Sequence, residues 1–167
     1  GKIISVKFRI GIKENQLIAA EFAKMCEDAG ADMISIHARS RNMMYSGTPY
    51  YEQIHQVKSV VHIPVIANGG IFEQTDADGV MIGRYGLENP FIFSELLGNE
   101  YMKKTKLDIL KEQMNLLKEL CDKNIYNETF ALSYIKKICS YIMKKEKGTK
   151  QYKQKIFQCG SMNDIKH

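Results

Sequence analysis

Four short apolar runs alternate with helix-forming text over the first half of the chain, and that alternation constrains the fold more than any other feature. The runs are Ile3–Ile10 (IISVKFRI), Met33–His37 (MISIH), Pro64–Ala67 (PVIA) and Gly79–Ile82 (GVMI). Their aliphatic and β-branched residues predict strands. Gln16–Ala29 predicts a helix with Asn15 as N-cap and Gly30 as its stop. Glu21, Lys24, Glu27 and Asp28 fall on one side of it, and Ile18, Phe22, Met25 and Ala29 on the other. A polar loop (Ala38–Pro49) precedes a second helix over Tyr51–Val61, and Pro90–Leu97 begins another. Near-continuous apolar strands alternating with helices imply a parallel sheet covered by helices, either doubly wound or a (β/α)8 barrel. Four strands make half of such a barrel, so the alternatives are a small open α/β domain or a barrel whose N-terminal half is missing.

One connection is too short. Gly70 and Asp78 are separated by the seven residues IFEQTDA. Parallel strands need a crossover of about a dozen residues, usually with a helix. A natural deletion, an engineered one, or residues dropped from the numbering would each explain it. The expectation is a break in the chain between Ile71 and Ala77.

From Leu107 the strands stop. Leu107–Lys123, Thr129–Lys145 and Lys150–Gln158 read as successive helices, and Gly98-Asn99 marks the boundary between a domain over 1–98 and one over 99–167. Charge divides at the same place. Residues 1–97 sum to −2 and residues 98–167 to +7. Either a polyanion partner or a solvated lysine-rich surface accounts for that excess. Cys26, Cys121, Cys139 and Cys159 show no CxxC spacing, which favours buried thiols over zinc or disulfides and points to a cytoplasmic compartment. No apolar run reaches a membrane span, and no signal peptide is expected at the start of the chain. No metal site is expected.

Parallel α/β folds bind ligands at the carboxyl ends of their strands. Here those ends carry Lys7 and Arg9, His37 and Arg39, Asn68-Gly69-Gly70, and Gly83-Arg84. If these are the last four strands of a barrel, the two glycine-bearing ends occupy its usual phosphate site. Glycine lets backbone N–H groups approach phosphate oxygens, and Arg84 adds a charge-assisted fork. Each residue singly has a plain reading as a turn glycine, a satisfied histidine or a solvated lysine. Their convergence on consecutive strand ends is the functional signal.

The segments VKFRIG, IHARSRNMMYSG, IPVIANGGI and DGVMIGRYGLENPFIF resemble the second half of the tRNA-dihydrouridine synthases. The most specific part is His37, Arg39, Arg41, Tyr45, Ser46 and Gly47. The resemblance spans Ile3 to about Phe93 apart from the missing helix, and continues more weakly to the end. It implies the C-terminal half of an FMN-binding TIM barrel followed by a helical, basic RNA-binding domain. It also implies a reaction, in which NADPH-reduced FMN saturates the C5–C6 bond of specific uridines in tRNA. By the resemblance, Lys7, His37, Asn68, Gly69, Gly70, Gly83 and Arg84 hold FMN. Arg39, Arg41, Tyr45, Lys136, Lys137 and Lys144 face tRNA. The stretch YIKKICSYIMK (Tyr134–Lys144) stands where the family's basic helix carries Arg-Lys-His, but has isoleucine in place of the histidine. The family's catalytic cysteine lies upstream of the matching segment, so no catalytic residue is assigned here.

This segment alone is expected to be inactive, and a half barrel with open edges to pair with a second copy or swap halves. The alternatives are another FMN barrel oxidoreductase of the dihydroorotate-dehydrogenase kind, a phosphate-binding barrel without flavin, and a non-catalytic RNA-binding protein. The HARSR…YSG segment favours the synthase over all three.

Overall fold

The structure, a computed structural model, describes residues 1–13, 16–70, 75–99, 104–144 and 147–166. The chain forms two compact units, Gly1–Gly83 and Arg84–His167. The first is an α/β unit built on β1 (Ser5–Arg9), α1 (Ala19–Asp28), β2 (Met33–His37), α2 (Glu52–Val60), β3 (Val65–Asn68) and β4 (Gly79–Met81). Its strands lie in the order β1-β2-β3-β4, and every neighbouring pair is parallel.

Strand parity decides which side chains reach the core. Val6, Ile34 and Val65 align across three strands, and Phe8, Ile36, Ala67 and Val80 across four. Aligned residues of a parallel sheet point to one face. That face packs on Ala19, Ala23 and Cys26 of α1 and on Ile54 and Val57 of α2. The small Ala19 and Ala23, both buried, let α1 approach closely. The expected helix face is displaced by this contact. Ile18 and Met25 are exposed, while Ala19, Ala23 and Cys26 are buried. The helix also starts later than expected. A bridge between Gly11 and Leu17, with Ile18 N–H donating to the Ile10 carbonyl (3.0 Å), holds the entry segment out of helical geometry. The expected N-cap, Asn15, lies outside the described residues.

α1 ends at Gly30, whose φ of +92° suits glycine, with the Gly30 and Ala31 N–H groups donating to the carbonyls of Glu27 and Cys26. The crossover from β3 to β4 contains no helix among its described residues. The expected break between Ile71 and Ala77 falls mainly on residues 71–74, outside the described residues. The far end of the crossover is tied to α2 by two ion pairs, His55–Asp76 (2.9 Å) and Lys58–Asp78 (2.5 Å). Asp78 also accepts the Val65 N–H (2.7 Å), fixing the start of β3.

The second unit is helical: α3 (Arg84–Glu88), α4 (Ile92–Leu96), α5 (Lys106–Asp122), α6 (Glu128–Ile142), α7 (Lys150–Gln158) and a 3-10 turn at Asp164–Lys166. The sequence pattern did not expect α3 or the 3-10 turn. Thr105 and Asp108 form a reciprocal capping box on α5, and the Asn127 side chain accepts the Phe130 N–H to cap α6. Leu117, Ala131, Ile135, Cys139 and Met162 form its core. No helix among the described residues is long and apolar enough to cross a membrane.

Glu27 joins α1 to the entry of β3. Its carboxylate pairs with Lys24 (2.9 Å) and accepts the N–H groups of His62 (2.6 Å) and Ile63 (3.1 Å). The Lys24 hydrogen bond, then the His62 N–H, pulls its pKa from 4.5 to about 2. A carboxylate depressed in the folded state stabilises above its unfolded pKa and loses that contribution as pH falls through the folded one. The stability advantage over Glu27→Gln is therefore expected to be full above pH 4.5 and to vanish toward pH 2. Urea melts of both proteins across that range check it, and parallel curves would count against the linkage.

Candidate functional site

The sheet face opposite the helices gathers the functional strand-end residues. Arg9, His37, Asn68 and Met81 form one row, and Lys7, Ser35, Ile66 and Gly79 the row before it. Two of the expected cofactor residues, Lys7 and His37, therefore share a face with Asn68. His37 and Ser35 are buried in the central strand, and the Asn68 amide donates to the Met81 carbonyl (2.7 Å), tying the ends of β3 and β4.

Two guanidinium groups shape the loop after β2. Arg9 Nη1 donates to the carbonyls of Ser40 and Met44, both at 3.0 Å, and Arg9 lies 5.6 Å from the Tyr45 ring centroid. Arg39 donates to the Ser46 carbonyl (3.2 Å), the Gly47 carbonyl (3.1 and 3.3 Å) and, through Nη1, the Gly69 carbonyl (2.8 Å). Arg39 thus binds the loop after β2 to the loop after β3. Loop and strand end are further joined where the Arg41 and Asn42 N–H groups donate to the carbonyls of Gly11 and Ile12. Tyr45 stays 58% exposed, with its ring 6.4 Å from that of His37. Arg9 is the organising residue that pattern reading understates. Its position two residues after Lys7, on the same strand face, was the available signal.

Gly69 shows why that position excludes a side chain. Its φ is +117°, and a Cβ there would lie 2.6 Å from His37 Cδ2 and 3.0 Å from Nε2. Gly70, with φ +81°, has open space around the same direction. Both glycines are required for backbone conformation, and Gly69 also for the seating of the imidazole.

Among the described residues, no carboxylate pairs with Lys7, Arg9, Arg39 or Arg41; the ion pairs of this unit involve Lys24, Lys58 and His55. Burial, and then the charge of Arg9, lowers the Lys7 pKa. Cations gathered at strand ends without acidic partners among the described residues give that end of the sheet a positive potential. Among the described residues there is no group of three or more side chains suited to a metal ion.

The remaining expected residues lie elsewhere. Gly83 closes the first unit, and Arg84 opens α3 in the second. Lys136 Nζ donates to the carbonyls of Phe157 (3.0 Å) and Cys159 (2.7 Å), capping the end of α7. Lys144 pairs with Glu88 (2.7 Å). Lys137 is exposed. Cys26 and Cys139 are buried, Cys121 and Cys159 half-buried, and all four thiols are free. Burial raises the Cys26 pKa and pushes that of Cys139 up to about 11.

The family model for dihydrouridine synthase (Dus) matches residues 2–167. A probable tRNA-dihydrouridine synthase 1 of Synechocystis sp. is 32% identical over 183 residues, covering 98% of this chain and 49% of the relative. Probable tRNA-dihydrouridine synthases of Aquifex aeolicus and Rickettsia conorii are 30% and 34% identical over 128 residues, each covering 70% of this chain and 40% and 38% of the relative. The chain belongs to the dihydrouridine synthase family. It spans about half the length of the Synechocystis relative and less of the others.

Gly69→Ala is expected to destabilise the first unit by about 1–3 kcal/mol through strain at a positive φ, and to displace the His37 ring as well. Gly70→Ala is expected to carry the backbone strain alone. Chemical denaturation measures the first effect, and the His37 ring resonances in NMR separate the two variants. Equal His37 shifts in both would remove the packing role of Gly69.

Proposed function

We propose that this chain provides the flavin-binding C-terminal half of a TIM barrel and the helical RNA-binding region of a tRNA-dihydrouridine synthase. The observation that carries the reading is the single sheet face on which Lys7, Arg9, His37 and Asn68 converge. That face fits FMN, which needs a cation beside an electron-rich ring and backbone N–H groups for a phosphate. Lys7 would favour negative charge on the ring system, His37 would contact the ring, and Asn68 would belong to the phosphate loops. Gly69, Gly70, Gly83 and Arg84 would serve the phosphate. When bound, FMN reduced by NADPH supplies the hydride that saturates the C5–C6 bond of a uridine in tRNA. Cys26 packs on the helix side of the sheet, away from this face, so the proton for the base does not come from a cysteine of this unit.

Reaching a base in folded tRNA requires drawing it from its stack while the backbone is held elsewhere. The basic second part of the chain suits that hold. Lys137 is its exposed candidate on α6, while Lys136 and Lys144 have protein partners. Arg41 and Tyr45, exposed at the strand-end loop, would meet the RNA, and Arg39 would shape that loop. The alignment with the Synechocystis relative runs over 183 residues, longer than this chain. A cytoplasmic setting accords with the tRNA substrate.

Titration of the purified protein with FMN tests the cofactor assignment. Quenching of flavin fluorescence is expected, weakened tenfold or more by Lys7→Met, a loss of about 1.4 kcal/mol. Because the Lys7 charge is disfavoured by burial and by Arg9, the same variant is expected to melt no lower than wild type without flavin. Absence of quenching in both proteins would overturn the FMN reading. For RNA, Lys137→Ala is expected to flatten the salt dependence of tRNA binding by about one phosphate contact. Lys136→Ala is expected to lower the melting temperature instead, and a reversed pattern would move the RNA contact to Lys136.

A further inference from the structure

The solvent side of α6 carries a row of aromatic rings. Phe130 and Tyr134 stand one turn apart, and Lys137 follows a turn later on the same stripe. Tyr126 joins the row from the turn before the helix. There Asn124 has a φ of +56°, and the Ile125 and Tyr126 N–H groups donate to the Leu120 carbonyl (2.9 and 3.3 Å). The rings lie against one another. Tyr126 and Phe130 have centroids 4.7 Å apart with planes at 34°, and Phe130 and Tyr134 6.0 Å apart at 23°. Yet the three are 42%, 45% and 40% exposed, because Ala131, Ile135, Cys139 and Ile142 supply the buried face of the same helix. Core packing therefore does not account for the row.

The charge beside it points to the partner. Among the described residues, the ion pairs of this unit involve Lys104, Lys123 and Lys144, so the Lys137 ammonium at the end of the row keeps its charge uncancelled. Glu119 is engaged by Lys123, and Glu128 accepts the Met162 N–H (3.4 Å). Asp122 and Glu128 line the hollow bounded by α5 and α7. Flat ring faces next to a cation match the two parts of an unpaired RNA strand, bases that stack and phosphates that attract positive charge. A duplex hides its base faces and has nothing to offer the rings.

We propose that Tyr126, Phe130 and Tyr134 form a stacking platform for unpaired bases of the RNA, with Lys137 on an adjoining phosphate. This rests on the tRNA reading above and narrows it: the helical unit takes up a single-stranded segment rather than a stem. Such a contact tolerates any sequence, since every base has a flat face.

Fluorescence anisotropy of the full chain with tRNA, a labelled unpaired oligoribonucleotide and an RNA duplex of equal length tests it. The unpaired strand is expected to bind more tightly than the duplex. Phe130→Ala is expected to weaken binding of that strand and of tRNA about tenfold with an unchanged salt slope, because stacking releases no counterions. Phe130→Leu, apolar but not flat, is expected to lose as much, and Phe130→Trp to bind like wild type. Tyr134→Ala is expected to repeat the loss and covers the case in which Phe130→Ala fails to fold, with far-UV circular dichroism as the check. Wild-type affinity in both alanine variants overturns the platform and leaves the tRNA reading, with its Lys137 salt slope, standing. Binding of no RNA by the wild type overturns both. Full binding by Phe130→Leu overturns stacking, and a preference for the duplex moves the contact to a stem. A wild type that is dimeric by light scattering, with a monomeric Phe130→Ala, assigns the row to a second copy instead.

Discussion

In-register parallel pairing of β1, β2 and β3 is the constraint on which the rest of the first unit depends. Because side chains alternate along a strand, the register sorts each strand into two sets. Val6, Phe8, Ile34, Ile36, Val65 and Ala67 go to the helix side and are buried there or packed against the core. Lys7, Arg9, His37 and Asn68 go to the other. A slip of one residue in β1 would bring Lys7 onto α1 and turn Phe8 toward the polar face. Core and site are therefore two consequences of one alignment, and the apolar side stabilises an arrangement of cations that would not assemble by itself.

The polar face is organised by hydrogen bonds to neutral carbonyls rather than by ion pairs. Arg9 and Arg39 direct their guanidinium groups at Ser40, Met44, Ser46, Gly47 and Gly69. A carbonyl orients a guanidinium without cancelling its charge, so the loops are held while the field stays positive. An aspartate in any of those places would hold the loop equally well and would neutralise the site. Gly69 completes the arrangement by leaving room for the His37 ring.

The helical unit separates two uses of lysine that look alike in sequence. Lys136 and Lys137 are neighbours, but one turns inward to the end of α7 and the other outward to solvent. The helical period of 3.6 residues puts adjacent side chains about 100° apart. Charge counting registers both equally, and packing alone distinguishes a helix cap from an available cation.

Local pattern in the sequence was enough to determine the alternation of strands and helices and the four strand positions. It also placed Lys7, Arg9, His37 and Asn68 toward the strand ends, because apolar periodicity, Gly30 and the Asn68-Gly69-Gly70 turn are local properties. The helical second half was legible for the same reason, although α3, only five residues long, left too little periodicity to read. Only the tertiary structure decided the phase of α1, where contact of Ala19 and Ala23 with the sheet prevailed over the larger Ile18 and Met25. It likewise decided that Arg39 spans two loops, that Arg9 shapes the first of them, and that Gly69 yields space to His37. Each depends on residues distant in sequence meeting at one sheet end, which no local pattern specifies.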